Sequence, residues 1–107
     1  MSTEPIHVVA SFIPKPGKLS EFFEAVKPVV QHLEKEIPGV HHVYCFQTKT
    51  HDNKDQITFI EKFANAQTLQ THHDSRLFLD MIAKLEDLIE FSDVKSGSLV
   101  LGFENRC

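Results

Sequence analysis

The stretch ITFIEKFANAQTLQTHHDSRLF, residues 57–78, changes its rhythm partway along. Up to Phe63 it alternates. Ile57, Phe59, Glu61 and Phe63 fall on one side and Thr58, Ile60 and Lys62 on the other, the two-residue repeat of a strand. Asn65 is a good helix N-cap, and after it Ala66, Leu69 and His72 recur at three-residue spacing. Asp74 then looks like a second N-cap. Leu77, Phe78, Met81, Ile82, Leu85, Leu88 and Ile89 carry the helical period on to about Glu90. The reading is a strand over 56–64, followed by two helical pieces that meet at the pair His72-His73.

The same change of period organises the rest of the chain. Residues 6–13, IHVVASFI, read as a strand, which the Pro14 and Pro16 of PKPG stop. From Leu19, apolar residues at helical spacing (Phe22, Phe23, Val26, Val29, Val30, Leu33 and Ile37) predict an amphipathic helix of about five turns. Pro28 inside it removes one donor, which predicts a kink near 24–28 or a break there. Pro38-Gly39 ends it. Residues 40–49 form a second strand, joined to the third by the polar turn THDNKD. The segment 91–104 reads as a last strand interrupted by Gly97 and Gly102. The order is βαββαβ, an α+β, ferredoxin-like pattern with a four-stranded antiparallel sheet and helices on one face.

The chain has 107 residues, enough for one domain over 1–107. Its net charge of −4 with scattered basic residues argues against nucleic acid. No apolar run approaches a membrane span and the start has no leader-like pattern, so the chain reads as soluble and cytoplasmic. Cys45 and Cys107 read as free thiols, with Cys45 buried as a small apolar side chain. No two His show metal-ligand spacing, and no phosphate-binding or dinucleotide fingerprint appears; the expectation is no metal and no nucleotide.

A sheet covered on one face only should alternate apolar and polar residues cleanly. The first three strands do not. Tyr44 and Phe46 oppose Val43 and Cys45, and Phe59 and Phe63 oppose Ile60. A second copy of the same sheet, packed face to face about a two-fold axis, would cover the side the helices leave open, so a homodimer is expected.

A Pro-Gly after the first strand, Pro-Gly-Val before the second, Tyr44, and a third strand ending Glu61-x-Phe63 followed by His72, Ser75 and Phe78 together resemble the antibiotic-biosynthesis-monooxygenase (ABM) family. The resemblance runs from Ile6 to Phe103. It implies a dimeric α+β barrel and a cavity between sheet and helices. It also implies a small oxygenated substrate, phenolic, quinol or polyketide-like, handled without a cofactor. Glu61 and His72 match the family's Glu and His positions, and Tyr44 matches an aromatic one. A haem-degrading branch depends on a Trp, and this chain has none.

Cofactor-free oxygenation needs a substrate that gives an electron to O₂ once deprotonated, and therefore a base in a dry pocket. His72, with an ordinary pKa near 6.5, is the expected base, and Glu61 the carboxylate that orients it and stabilises its charged form. Phe23, Phe59, Phe63 and Phe78 would furnish aromatic walls. Tyr44 and His42 share a strand face from which either could reach a ligand. His73 should point to solvent, because adjacent helical residues diverge by about 100°. Isomerisation, dehydration or cyclisation would use the same base and pocket without O₂. A third reading is a dimer that binds a small molecule and does no chemistry, with His72 only capping a helix end.

Overall fold

A computed structural model describes residues 4–103. The elements are β1 (Ile6–Pro14), α1 (Leu19–Glu36), β2 (Val40–Lys49), β3 (Asp55–Phe63), α2 (Ala66–Asp74), α3 (Arg76–Leu85) and β4 (Ile89–Gly97). The strands form one antiparallel sheet in the order β2-β3-β1-β4, with β1 and β3 at its centre. This is the ferredoxin-like arrangement, with its second helix broken in two.

Helix α1 forms because its apolar positions make one stripe. Phe22, Val26, Val29 and Leu33 are all buried, each at a spacing of three or four residues. Burial of that size stabilises by roughly 1.5–3 kcal/mol per side chain. The helix runs unbroken from Leu19 to Glu36 through Pro28, whose missing donor falls on an exposed position. Gly17, at φ +77°, makes the turn that delivers the chain from β1 into this helix, a conformation that costs a side-chain-bearing residue free energy. Phe22 and Val26 of the stripe pack on Val8, Ala10 and Phe12 of β1 and on Ile57, Phe59 and Phe63 of β3. Phe12 centres this core, with its ring 5.6 Å from Phe22 and 6.0 Å from Phe59.

Three boundaries differ from the sequence reading. The cap of the last helix is Ser75, not Asp74. Ser75 is extended (φ −70°, ψ 146°) and its Oγ accepts the Phe78 N–H at 3.2 Å. Asp74 is the last residue of α2, and its carboxylate accepts from Gln70 at 2.9 Å. The helix ends at Leu85 rather than near Glu90. Leu88 and Ile89 keep the apolar spacing, but the acidic pair Glu86-Asp87 opposes the helix dipole there, and tight turns close the end, Asp87 N–H to the Lys84 carbonyl and Leu88 N–H to the Leu85 carbonyl. The last strand accordingly begins at Ile89 and stops at Gly97, so Gly97 terminates it and Gly102 lies beyond it. Cys45 is exposed rather than buried, because β2 is an edge strand whose far half no helix covers. Residues 104–107, including Cys107 and the expected end of the last strand, lie outside the described residues.

The register shows what each face carries. Val9 and Ile60 stand opposite each other, as do Ile60 and Tyr44. Their face points away from the helices, and on it Val9, Tyr44, Phe46 and Phe91 are all exposed, Tyr44 by 54% and Phe46 by 49%. An apolar face this open is unusual for a lone subunit. No helix among the described residues is long and apolar enough to cross a membrane.

Candidate active site

Between the sheet and the helices lies a cavity of about 310 Å³. Most of its wall is aliphatic or aromatic, from Val8 and Ala10 on the floor to Val30 and Met81 on the helices. Its polar lining consists of Glu61, His72, His73, Glu86 and Ser92.

Strand β3 brings Glu61 into this space because the two-residue repeat puts it on the side of Phe59 and Phe63, between Val8 of β1 and Val43 of β2. Helix α2 brings His72. Its start is held by Asn65, whose Oδ1 accepts from the Thr68 N–H at 2.9 Å and from Thr68 Oγ1 at 3.0 Å. Thr68 in turn lies against Gly39, where a Cβ would come within 2.9 Å of the threonine side chain, so a larger residue would force that side chain to shift. The end of α2 is fixed by Ser75, whose Oγ donates to the His72 carbonyl at 2.8 Å while accepting from Phe78. Asn65→Ala is expected to lower the unfolding free energy by about 1 kcal/mol, measured by urea denaturation, with Asn65→Asp retaining most of the stability.

His72 is only 8% exposed and is the one buried polar residue among the described residues. Its ring stacks on Phe63 at 5.8 Å and meets the edge of Phe78 at 4.6 Å. Burial pushes its pKa down to about 4, and the neighbouring His73 and His32 push the same way. It is therefore a neutral imidazole at neutral pH. Burial acts on Glu61 with the opposite sign, raising its carboxyl to about 7.

Several expected roles fall differently. No hydrogen bond joins Glu61 to His72 among the described residues, and Glu61 is not among the groups that shift the His72 pKa. The expected stabilisation of a charged His72 by Glu61 is thus not what the site displays, although the two side chains line one cavity. Phe59 and Phe78 line the cavity as expected. Phe63 is fully buried behind His72, and Phe23 packs beside Phe22 outside the cavity lining. Tyr44 and His42 stack on each other at 4.4 Å, on the face opposite to Glu61, because Tyr44 pairs with Ile60 while Val43 pairs with Glu61. They do not reach the cavity. His73, expected in solvent, is partly buried against Phe78 at 4.8 Å and lines the cavity.

The sequence reading missed His32, Glu86 and Ser92. His32 lies next to Leu33 on the margin of the α1 stripe, so its position was readable from the helical period. Ser92 and Glu86 depended on where α3 stops, which the periodicity of Leu88 and Ile89 concealed. Among the described residues, no three His, Cys, Asp or Glu are grouped so as to hold a metal ion.

The two layers thus enclose a partly open, largely apolar cavity that carries a raised carboxyl and a neutral imidazole. The chain belongs to the antibiotic biosynthesis monooxygenase (ABM) family, whose sequence profile matches residues 5–84. No curated protein matches it in sequence. Among solved structures it is similar to a candidate antibiotic biosynthesis monooxygenase from Caulobacter crescentus (19% identity, 92% of each chain covered, TM-score 0.82). It is also similar to a conserved protein of unknown function from Bacteroides thetaiotaomicron, a candidate oxidoreductase (17% identity, 92% of this chain and 100% of that chain, TM-score 0.78). A dimeric protein of unknown function and ferredoxin-like fold from Bacteroides fragilis is a third (9% identity, 89% and 96% covered, TM-score 0.71). At these identities the likeness is one of fold.

Proposed function

We propose that the protein is a cofactor-independent monooxygenase of a small phenol, quinol or polyketide-like molecule, acting as a homodimer. The observation that carries this reading is Glu61, a carboxyl raised to about 7 that faces an apolar cavity. Proton transfer from a phenol of pKa near 10 to such a carboxylate is uphill by about 4 kcal/mol, against about 8 for an ordinary carboxylate or for an imidazole held near 4. Glu61 is therefore the base. His72, neutral and held between Phe63 and Phe78, is the hydrogen-bond partner for the substrate oxygen as charge develops on it. Phe59 and Phe78 exclude water.

The reaction needs no added reductant. The deprotonated phenol transfers one electron to O₂. The radical pair then joins in a carbon–oxygen bond to a ring carbon that still carries hydrogen. The resulting hydroperoxide loses that hydrogen and breaks its O–O bond, leaving a quinone carbonyl and water. One oxygen atom enters the product and the other leaves as water.

The homodimer reading is supported by the exposed apolar face of the sheet and by the dimeric relative of like fold. Oxygen uptake tests the chemistry. With a reactive phenol or quinol, one O₂ is consumed per product, and labelled dioxygen puts one labelled atom in that product. Turnover without oxygen uptake would assign non-oxidative proton-transfer chemistry to the site instead.

A further inference from the structure

The polar groups of the cavity stand at its two ends. On β1 the residue facing Glu61 is Val8, whereas the residue facing Ser92 is Phe12, four positions further on. Glu61 is on β3, to one side of β1, and Ser92 on β4, to the other. Four residues at about 3.4 Å and two strand spacings of about 4.8 Å separate their backbone positions by roughly 17 Å. His72 and His73 belong to the Glu61 end, because His72 stacks on Phe63, two residues along β3 from Glu61, and His73 adjoins it. Glu86 belongs to the Ser92 end, because the turn after α3 is tied to the end of β1 by the Lys15 N–H to the Leu88 carbonyl at 2.8 Å. Between the two poles, Ala10 and Phe59 on the floor and Val26 and Ile82 above them offer no donor or acceptor.

We infer that the cavity selects an elongated, uncharged molecule with a hydrogen-bonding group at each end: an acidic hydroxyl beside Glu61 and a second polar group at Ser92, with Glu86 turning anions away. The inference rests on reading this cavity as the substrate site. A single ring falls well short of the second pole, whereas two conjugated rings span the apolar middle and fit a space of about 310 Å³. Charge is decided by what the lining lacks. It carries two acidic residues and neither Lys nor Arg. A carboxylate or phosphate at the Ser92 end would meet the Glu86 carboxylate with no lining cation to offset the repulsion.

The test is fluorescence titration under argon, where no oxygenation occurs, with 4-hydroxystilbene, 4,4′-dihydroxystilbene and 4-carboxy-4′-hydroxystilbene. The diol is expected to bind about fivefold more tightly than the monohydroxy compound, the worth of one neutral hydrogen bond. Ser92→Ala erases that advantage and Ser92→Thr keeps it. The carboxylate binds about threefold more weakly than the diol, and Glu86→Gln removes most of this penalty. Ser92 and Glu86 are both exposed, so the variants leave the core untouched. Equal binding of diol and monohydroxy compound, an advantage indifferent to Ser92→Ala, a carboxylate that binds as well as the diol, or no binding by any of the three would each overturn the inference. Failure to consume oxygen with this discrimination intact would remove the monooxygenase reading alone. Turnover of phenols with no discrimination at the Ser92 end would remove this inference alone.

Discussion

Glu61→Gln is expected to lower turnover by at least about 10²-fold and, at the same time, to make the protein more stable at pH 8. The two effects share one cause. In the folded protein the Glu61 carboxyl loses its proton at about 7 instead of at the ordinary 4.5. Relative to a solvated carboxyl, the stability linked to this proton is fully present below about 4.5 and is lost as pH rises through 7, where the fold must hold a desolvated charge. The gap corresponds to about 3 kcal/mol at most, because Glu61 is partly open to the cavity. Glutamine has no charge to desolvate. The variant's advantage in urea denaturation should therefore approach that figure at pH 8 and vanish at pH 4. Wild-type activity should fall below pH 7 as the base is protonated. His72 works in the opposite direction: its pKa is depressed, so its contribution is present above 6.5 and lost as pH falls through about 4. A stability gain independent of pH, or turnover within a few-fold of wild type, would remove Glu61 from the role of base.

Ile60→Glu is expected to convert the proposed dimer to a monomer without unfolding it. Ile60 sits at the middle of the face the helices leave open, between Val9 on β1 and Tyr44 on β2. In a two-fold assembly the substitution enters the interface twice, and each buried, unpaired carboxylate costs several kcal/mol. The core lies on the other face, packed by Phe22, Ile57 and Phe63, so the helical and strand content should persist. Sedimentation at micromolar concentration should give twice the 12.2 kDa chain mass for wild type and a single mass for the variant. A wild-type monomer under those conditions would leave Tyr44 and Phe46 exposed to water and remove the assembly altogether.

The fold was legible wherever one periodicity ruled a segment. The alternation of Ile57, Phe59 and Phe63 and the stripe of Phe22, Val26, Val29 and Leu33 placed β3 and α1 within a residue of their observed limits. It was not legible where two elements share apolar residues. Leu88 and Ile89 fit either the end of a helix or the start of a strand, and only the turn hydrogen bonds after Lys84 decide between them. Glu61 and His72 were readable as members of one cavity. Their ionisation was not, because it depends on burial by side chains from several distant elements. Tyr44 and His42 were placed together correctly by the strand period, but which side of the sheet the helices occupy follows from the whole packing, so their distance from Glu61 could not be read locally.

The central position of β1 has a consequence for how the chain folds. Its hydrogen-bonding neighbours are β3 and β4, both far downstream, whereas β2 and β3 close across a short polar turn. Loop-closure entropy favours the near pairing, so the β2–β3 hairpin is the least costly nucleus and β1 is recruited afterwards. During synthesis β1 is thus made well before its sheet partners, and its backbone donors and acceptors wait for β3 while α1 can already cover one of its faces.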